Sequence, residues 1–197
     1  MSELLLLSGG IDSIAIAAWR RPKICLTIDY GQKPANAELA SSRQVCADLG
    51  LEHVVLSAQI PSLGVGDMAG TQGSSHSINS EFWPFRNQYL ITLAGAMALK
   101  RECDTVLIGT VVTDGRHKDG TPEFVSIIAE LMVMQEGSIK VSAPARTLTS
   151  VELVRQSGVD LSVLGWAHSC HVGNLACSHC RGCQKHTEVM SELGIER

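Results

Sequence analysis

The 197-residue chain has no basic block, no long apolar run and no internal repeat. Its 16 Lys and Arg are outnumbered by 20 Asp and Glu, for a net charge of -4. A mildly acidic chain lacks the cationic surface that grips nucleic-acid phosphates, so no nucleic-acid partner is expected. The longest apolar run near the start, Leu4 to Leu7, spans four residues. A secretory signal needs at least about seven such residues and a membrane span about twenty, so neither is expected, and a cytoplasmic location is. Charged residues are also sparse, at 18%, against 45% hydrophobic residues. That balance supports a packed core and excludes disorder. The length suits one domain with a small appendage.

Apolar patterning divides the chain into alternating elements. Short continuous apolar runs at Leu4–Leu7, Ile24–Ile28, His53–Leu56 and Thr105–Ile108, with a short segment at Lys140–Ser142, read as strands. Helical spacing follows Gly9-Gly10, ending near Arg21-Pro22, and recurs at Ala35–Leu49, Asn87–Lys100, Phe124–Met134 and Thr149–Gln156. Gly50 is the expected stop of the second helix. Gly64 to Ser80 is rich in Gly and Ser and aperiodic, as a functional or mobile loop would be. Strands alternating with helices predict an α/β fold, a doubly wound, parallel five-stranded sheet. Residues 1–160 are read as a nucleotide-binding domain, and residues 161–197 as a small cysteine-rich region packed on it. Ligands of such sheets bind at the carboxyl ends of strands. Those ends here are Ser8-Gly9-Gly10, Asp29-Tyr30-Gly31 and Gly109-Thr110.

Ser8-Gly9-Gly10-Ile11-Asp12-Ser13 lies between the first strand and the first helix. Two glycines let backbone amides approach an anion closely. The helix start adds free amides and a partial positive charge. The hydroxyls of Ser8 and Ser13 can donate to phosphate oxygens. A carboxylate at Asp12 repels phosphate unless a cation intervenes, which points to Mg²⁺. The blander alternative is a tight turn with Asp12 or Ser13 capping the helix. The string lacks the G-x-x-x-x-G-K-[ST] of a Walker A loop. It resembles the PP-loop, S-G-G-x-D-S, of the ATP-pyrophosphatases, which cleave ATP between its α and β phosphates.

Cys170, Cys177, Cys180 and Cys183 crowd into the last 28 residues, whereas Cys25, Cys46 and Cys103 sit singly in apolar surroundings. Four thiolates are the ligand set of a closed tetrahedral Zn²⁺ site. The pattern C-x2-C-x2-C also occurs in iron–sulfur proteins, but the Cys-Pro that ends the ferredoxin form is missing. The spacing therefore favours zinc in a structural role. His168, His171, His179 and His186 flank the cluster as spare ligands or polar surface.

With both motifs in place, the chain resembles the 7-cyano-7-deazaguanine synthases of the queuosine pathway over nearly its whole length. The matching features are Ser8 to Ser13, Asp29-Tyr30-Gly31-Gln32, Arg86-Asn87, and Ser169-Cys170 with Cys177, Cys180 and Cys183. The resemblance implies an adenine nucleotide alpha hydrolase-like fold, ATP, Mg²⁺ and Zn²⁺ as cofactors, and a homodimer. It implies that ATP adenylates 7-carboxy-7-deazaguanine and that ammonia yields the amide and then the nitrile. Ser8, Asp12, Ser13 and Arg86 are then the expected catalytic residues. Ser8, Gly9, Gly10, Asp12, Ser13, Asp29 and Gly109 would hold the nucleotide.

Arg86, Asn87, Asp114 and Asp119 are the expected substrate contacts. Arg86 opens a helix, where a cation opposes the dipole, so a phosphate or carboxylate ligand is expected. Asp29 suits Mg²⁺, a ribose, or a strand-end cap. Asp114 and Asp119 could accept paired N–H donors from a guanine-like edge, or be solvated loop residues. Trp83, Phe82 and Phe85 precede a helix and read as core before base-stacking platforms. Two departures stand out. The family's Tyr-Pro-Asp-Cys-Arg is His117-Lys118-Asp119-Gly120-Thr121 here, and its Leu-Thr-Lys is Leu148-Thr149-Ser150, with Arg146 as a nearby substitute. Those departures leave open a related ligase that passes the acid to another amine, or a nucleotide-binding sensor. Thiolation of transfer RNA would need a basic surface that this chain lacks.

Overall fold

A computed structural model describes residues 2–195; residues 1, 196 and 197, which end the two segments read from the sequence, lie outside it. Five parallel strands form one sheet in the order β3-β2-β1-β4-β5. They are β1 (Glu3–Leu6), β2 (Ile24–Asp29), β3 (Glu52–Ser57), β4 (Thr105–Leu107) and β5 (Lys140–Ser142). The helices are α1 (Ile11–Arg20), α2 (Ala35–Leu49), α3 (Arg86–Lys100), α4 (Pro122–Val133), α5 (Ser150–Ser157), α6 (Leu161–Leu164) and α7 (Arg181–Glu192).

β1 is the central strand, with Leu5 in register with Cys25 of β2 and Leu107 of β4. Its side chains alternate between two apolar clusters. Leu5 and Leu7 meet α1, α2 and α5, whereas Leu4 and Leu6 meet α3 and α4. A strand covered on both faces must be apolar at every position, which is why it reads as a continuous run. Helix boundaries follow backbone chemistry. α1 stops at Arg21, left-handed at φ 50°, and Pro22 follows. α2 stops at left-handed Gly50 (φ 62°), as its sequence predicts. α5 starts with a capping box, in which Glu152 N donates to Thr149 Oγ1 at 3.2 Å and Thr149 N to Glu152 Oε2 at 2.8 Å.

Two helices escape the sequence reading. α6 is four residues long, and α7 is mostly polar. Their apolar residues Val163, Leu164, Val189 and Met190 nonetheless join the core beneath α1 and α5. The Gly64–Ser80 stretch contains no helix or strand, but it is tied down. Asp67 N donates to Ser80 O at 2.7 Å, Lys33 N to Met68 O at 2.8 Å, and Met68 is buried. No helix among the described residues is long and apolar enough to cross a membrane.

The chain winds outward from β1 through β2 to β3, then returns to β4 on the other side of β1. The turns leaving β1 and β4 therefore diverge, and a crevice opens at their carboxyl ends. Leu5 is fully buried at the centre of this sheet. Leu5→Ala is expected to lower the unfolding free energy by about 2–5 kcal/mol, measured by urea denaturation.

Candidate active site

The turn after β1 passes through Gly9, whose φ of +74° lies in the left-handed region. A Cβ there would lie 2.9 Å from the Glu38 carbonyl oxygen and from Ser41 Oγ, so strain and close approach both select glycine. The Gly9 carbonyl accepts from Ser41 Oγ at 3.0 Å and from the His168 amide at 2.8 Å. Gly10, the N-cap of α1, brings no capping side chain. Ser13 Oγ donates to the Gly10 carbonyl at 3.0 Å and lies 3.2 Å from Ser8 Oγ. The first-turn amides of α1 have no intrahelical partner and sit at its positive end. They line a cavity of about 580 Å³, together with Ser8 and, across the crevice, Gly109. A Cβ at Gly109 would stand 3.8 Å from Ser13, in ordinary contact with the loop.

Of the residues picked from the sequence, Ser8, Gly10, Asp12, Ser13, Arg86, Asn87, Gly109 and Asp114 share this cavity wall. Gly9, Asp29 and Asp119 lie outside it. Asp29 Oδ1 accepts the Gly31 amide at 3.0 Å, closing a turn at the end of β2. Asp119 Oδ2 accepts the Asn87 amide at 3.2 Å, and Asn87 Nδ2 donates to the Asp119 carbonyl at 2.9 Å. The carboxylate expected to read a substrate edge thus holds the first turn of α3. Trp83 is buried and packs edge-on to Tyr30 at 5.0 Å, so it belongs to the core, whereas Phe85 is exposed.

Arg86 starts α3 and presents its guanidinium to the cavity, with NH1 2.9 Å from Met68 Sδ and Nε 3.4 Å from Asn87 Oδ1. Among the described residues no carboxylate lies within ion-pair distance of it. A half-buried cation without an anion suits an anionic ligand. Glu38 lies in the same wall and accepts from Gln32 Nε2 at 2.8 Å. Burial pushes its pKa up to about 7, against the pull of Gln32 and Arg86. Two loops meet at the cavity wall, where Glu81 and Arg116 line it. Arg116 Nε stands 3.2 Å from Glu81, and Arg116 NH2 donates to Asn79 Oδ1 at 2.8 Å. The long loop is thereby fastened to the loop after β4.

One cation reaches the PP-loop that sequence order conceals. Lys185 Nζ, from α7, lies 2.8 Å from Asp12 Oδ2 and 3.1 Å from Asp114 Oδ1. Asp12 Oδ1 is buried, and no hydrogen-bond partner is found for it among the described residues. Burial pulls the Lys185 ammonium down, but the two carboxylates outweigh it and hold the pKa above its ordinary value. Arg146, the cation nearest in sequence to Ser150, is exposed and stands outside the cavity wall. The signal for Lys185 lay only in its position two residues after Cys183.

Cys170, Cys177, Cys180 and Cys183 converge, their sulfurs all within 4.8 Å of one another. Cys177 Sγ and Cys183 Sγ are 3.9 Å apart. Tetrahedral zinc–thiolate bonds of about 2.3 Å place sulfurs about 3.8 Å apart, so the donor set fits zinc. Backbone amides favour thiolates: Cys180 N donates to Cys177 Sγ at 3.3 Å, and His171 N to Cys180 Sγ at 3.4 Å. Burial opposes ionisation of Cys177, yet the backbone amides of Cys180 and His179, with the Cys180 and Cys170 thiols, bring its pKa to about 6. Burial pushes Cys180 and Cys183 up, so four thiolates at this separation require a cation. The flanking histidines do not act as one group. His186 is buried with Nδ1 3.1 Å from Ser169 Oγ, His168 Nε2 is 3.0 Å from the Gly173 carbonyl, and His179 is exposed.

Two measurements follow from these groups. Elemental analysis of the purified protein is expected to find one zinc per chain, with Cys180→Ser releasing metal and lowering the unfolding temperature; iron with sulfide would contradict this. Glu38 supplies a pH signature. Its pKa is raised from 4.5 to about 7, so the folded protein holds a proton that the unfolded chain releases. Its contribution to stability is present in full below pH 4.5 and lost as pH rises through about 7. Glu38→Gln is expected to flatten that decline in a series of denaturation curves.

Comparison with known proteins matches residues 2–194 to the family described as queuosine biosynthesis protein QueC. A 7-cyano-7-deazaguanine synthase of Methanosarcina barkeri is 26% identical over 222 residues, covering 100% of this chain and 96% of the relative. Another, of Methanoculleus marisnigri, is 29% identical over 212 residues, covering 97% and 94%. Among solved structures, the NMN synthetase of Francisella tularensis superposes with a TM-score of 0.54 at 15% identity, covering 100% of this chain and 78% of that one. That likeness carries the fold alone: a parallel, doubly wound sheet. The family match spans PP-loop, sheet and cysteine cluster together, and the chain belongs to the queuosine biosynthesis protein QueC family.

Proposed function

We propose that the protein is an ATP-dependent ligase that converts 7-carboxy-7-deazaguanine to 7-cyano-7-deazaguanine. The observation that carries this reading is the cavity itself. Its lining offers the first-turn amides of α1, an Asp12 Oδ1 without a hydrogen-bond partner among the described residues, and an Arg86 with no carboxylate partner among them. Two anions that repel in water, a nucleotide triphosphate and an acid, can be held together there.

A carboxylate is a poor electrophile, because its oxygen must leave. In the proposed sequence the acid oxygen attacks the α-phosphorus of ATP, and pyrophosphate departs. Ammonia then attacks the acyl carbon, loses a proton, and AMP leaves with the former acid oxygen, giving the amide. A second ATP adenylates the amide oxygen. Loss of both N–H protons and departure of AMP leaves the nitrile. Mg²⁺ at Asp12 would neutralise charge on the leaving pyrophosphate. The α1 amides and the Ser8 and Ser13 hydroxyls hold phosphate oxygens, and Arg86 orients the acid. No nucleophilic side chain is needed.

The altered segment from His117 to Thr121 favours a second reading for the later step only. Only Asp119 of that segment keeps the family pattern, and an acceptor pocket altered around it would suit another amine. Mass spectrometry of the products from acid, ATP and ammonia distinguishes these. The nitrile supports the first reading, and an adenylate consumed only by a different amine supports the second. Asp12→Asn is expected to cut acid-dependent ATP–pyrophosphate exchange by about tenfold or more while circular dichroism stays unchanged. Absence of exchange in the wild type would leave a nucleotide-binding protein without this chemistry.

A further inference from the structure

We propose that Lys185 is the phosphate-facing cation of the adenylation site, delivered by the C-terminal helix in place of a lysine at position 150. The inference rests on the ATP-dependent reading above and adds a residue to it. Ser150 is buried in the cavity wall, and no partner is found for its Oγ among the described residues. It supplies no charge, and Arg146 points elsewhere. Lys185 reaches the same wall from a segment 35 residues further along the chain.

Its present partners explain how it would work. Two carboxylate oxygens, at 2.8 and 3.1 Å from one ammonium, are also the donors a divalent cation would take. Lys185 neutralises Asp12 and Asp114 while the site holds no nucleotide. When Mg²⁺ occupies those carboxylates, the ammonium is released to the phosphates beside them. It then stabilises the charge that grows on pyrophosphate as the α–β bond breaks.

The position of Lys185 is fixed from both ends of α7. Cys180 caps the helix and Cys183 lies in its first turn, so the thiol cluster sets where the helix begins. Gly182 lies so close to the Ser169 carbonyl that a Cβ would collide with it. Val189 and Met190 are anchored in the core.

The test uses the full-length protein and two probes, Mg²⁺ alone and pyrophosphate with Mg²⁺, each titrated by calorimetry, alongside ATP–pyrophosphate exchange. Lys185→Met is expected to weaken pyrophosphate binding about tenfold or more and lower kcat for exchange, while Mg²⁺ alone binds at least as tightly because its competitor is gone. Lys185→Arg, or Ser150→Lys added to Lys185→Met, should recover most of the loss. Pyrophosphate binding unchanged in Lys185→Met would overturn the proposal. So would loss of both ligands together, or failure of both compensating variants, since each marks the ion pairs as purely structural. A wild type that neither binds pyrophosphate nor exchanges it would instead refute the ATP-dependent reading on which the proposal stands.

Discussion

The carbonyl oxygen of Gly9 accepts two hydrogen bonds, one from Ser41 in α2 and one from the amide of His168. The rest of the site depends on that small junction. A left-handed residue without a Cβ lets α2 press against the turn, and the carbonyl exposed by the turn draws in the C-terminal segment. Once the carbonyl is occupied, the amides that follow it face the crevice and not the protein. An anion site of this kind cannot be built from side chains alone. It needs a backbone held open, and here two distant stretches of chain hold it.

The charges around the crevice are arranged by the same convergence. Among the described residues Arg86 has no carboxylate partner and Asp12 keeps one oxygen unpartnered, and burial pushes Glu38 toward its neutral form. Each of these states is costly in a finished core. A triphosphate, a divalent cation and a carboxylic acid would relieve the first two together. The Arg116–Glu81–Asn79 contacts, by contrast, are already satisfied and serve to clamp loop to loop.

Local signals made the sheet readable. β2 falls within a residue of the apolar run that announces it, because a strand buried on both faces has few polar positions to blur its edge. The PP-loop was equally legible, since its chemistry lies within six consecutive residues. What escaped was non-local. α7 reads as polar surface because only Val189 and Met190 bury apolar area at its far end. Lys185 and Asp12 are separated by 173 residues, so no spacing rule pairs them. Asp119 reads as a binding residue from its charge and place, and the structure adds that its carboxylate accepts an amide 32 residues away. The sequence pattern could give its charge but not its partner.

The lysine exchange has a physical logic of its own. Position 150 is the first helical residue of α5. A cation there works against the helix dipole, at a cost of about 0.3–1 kcal/mol. Lys185 lies beyond the first turn of α7, where the dipole no longer opposes it. Ordering a free lysine costs up to about 2 kcal/mol of side-chain entropy, and much of that is avoided when the helix beneath it is pinned at both ends. Of the four cluster cysteines only Cys170 touches the cavity wall. The cluster therefore acts on the chemistry by setting where α7 begins, and through it where an ammonium stands.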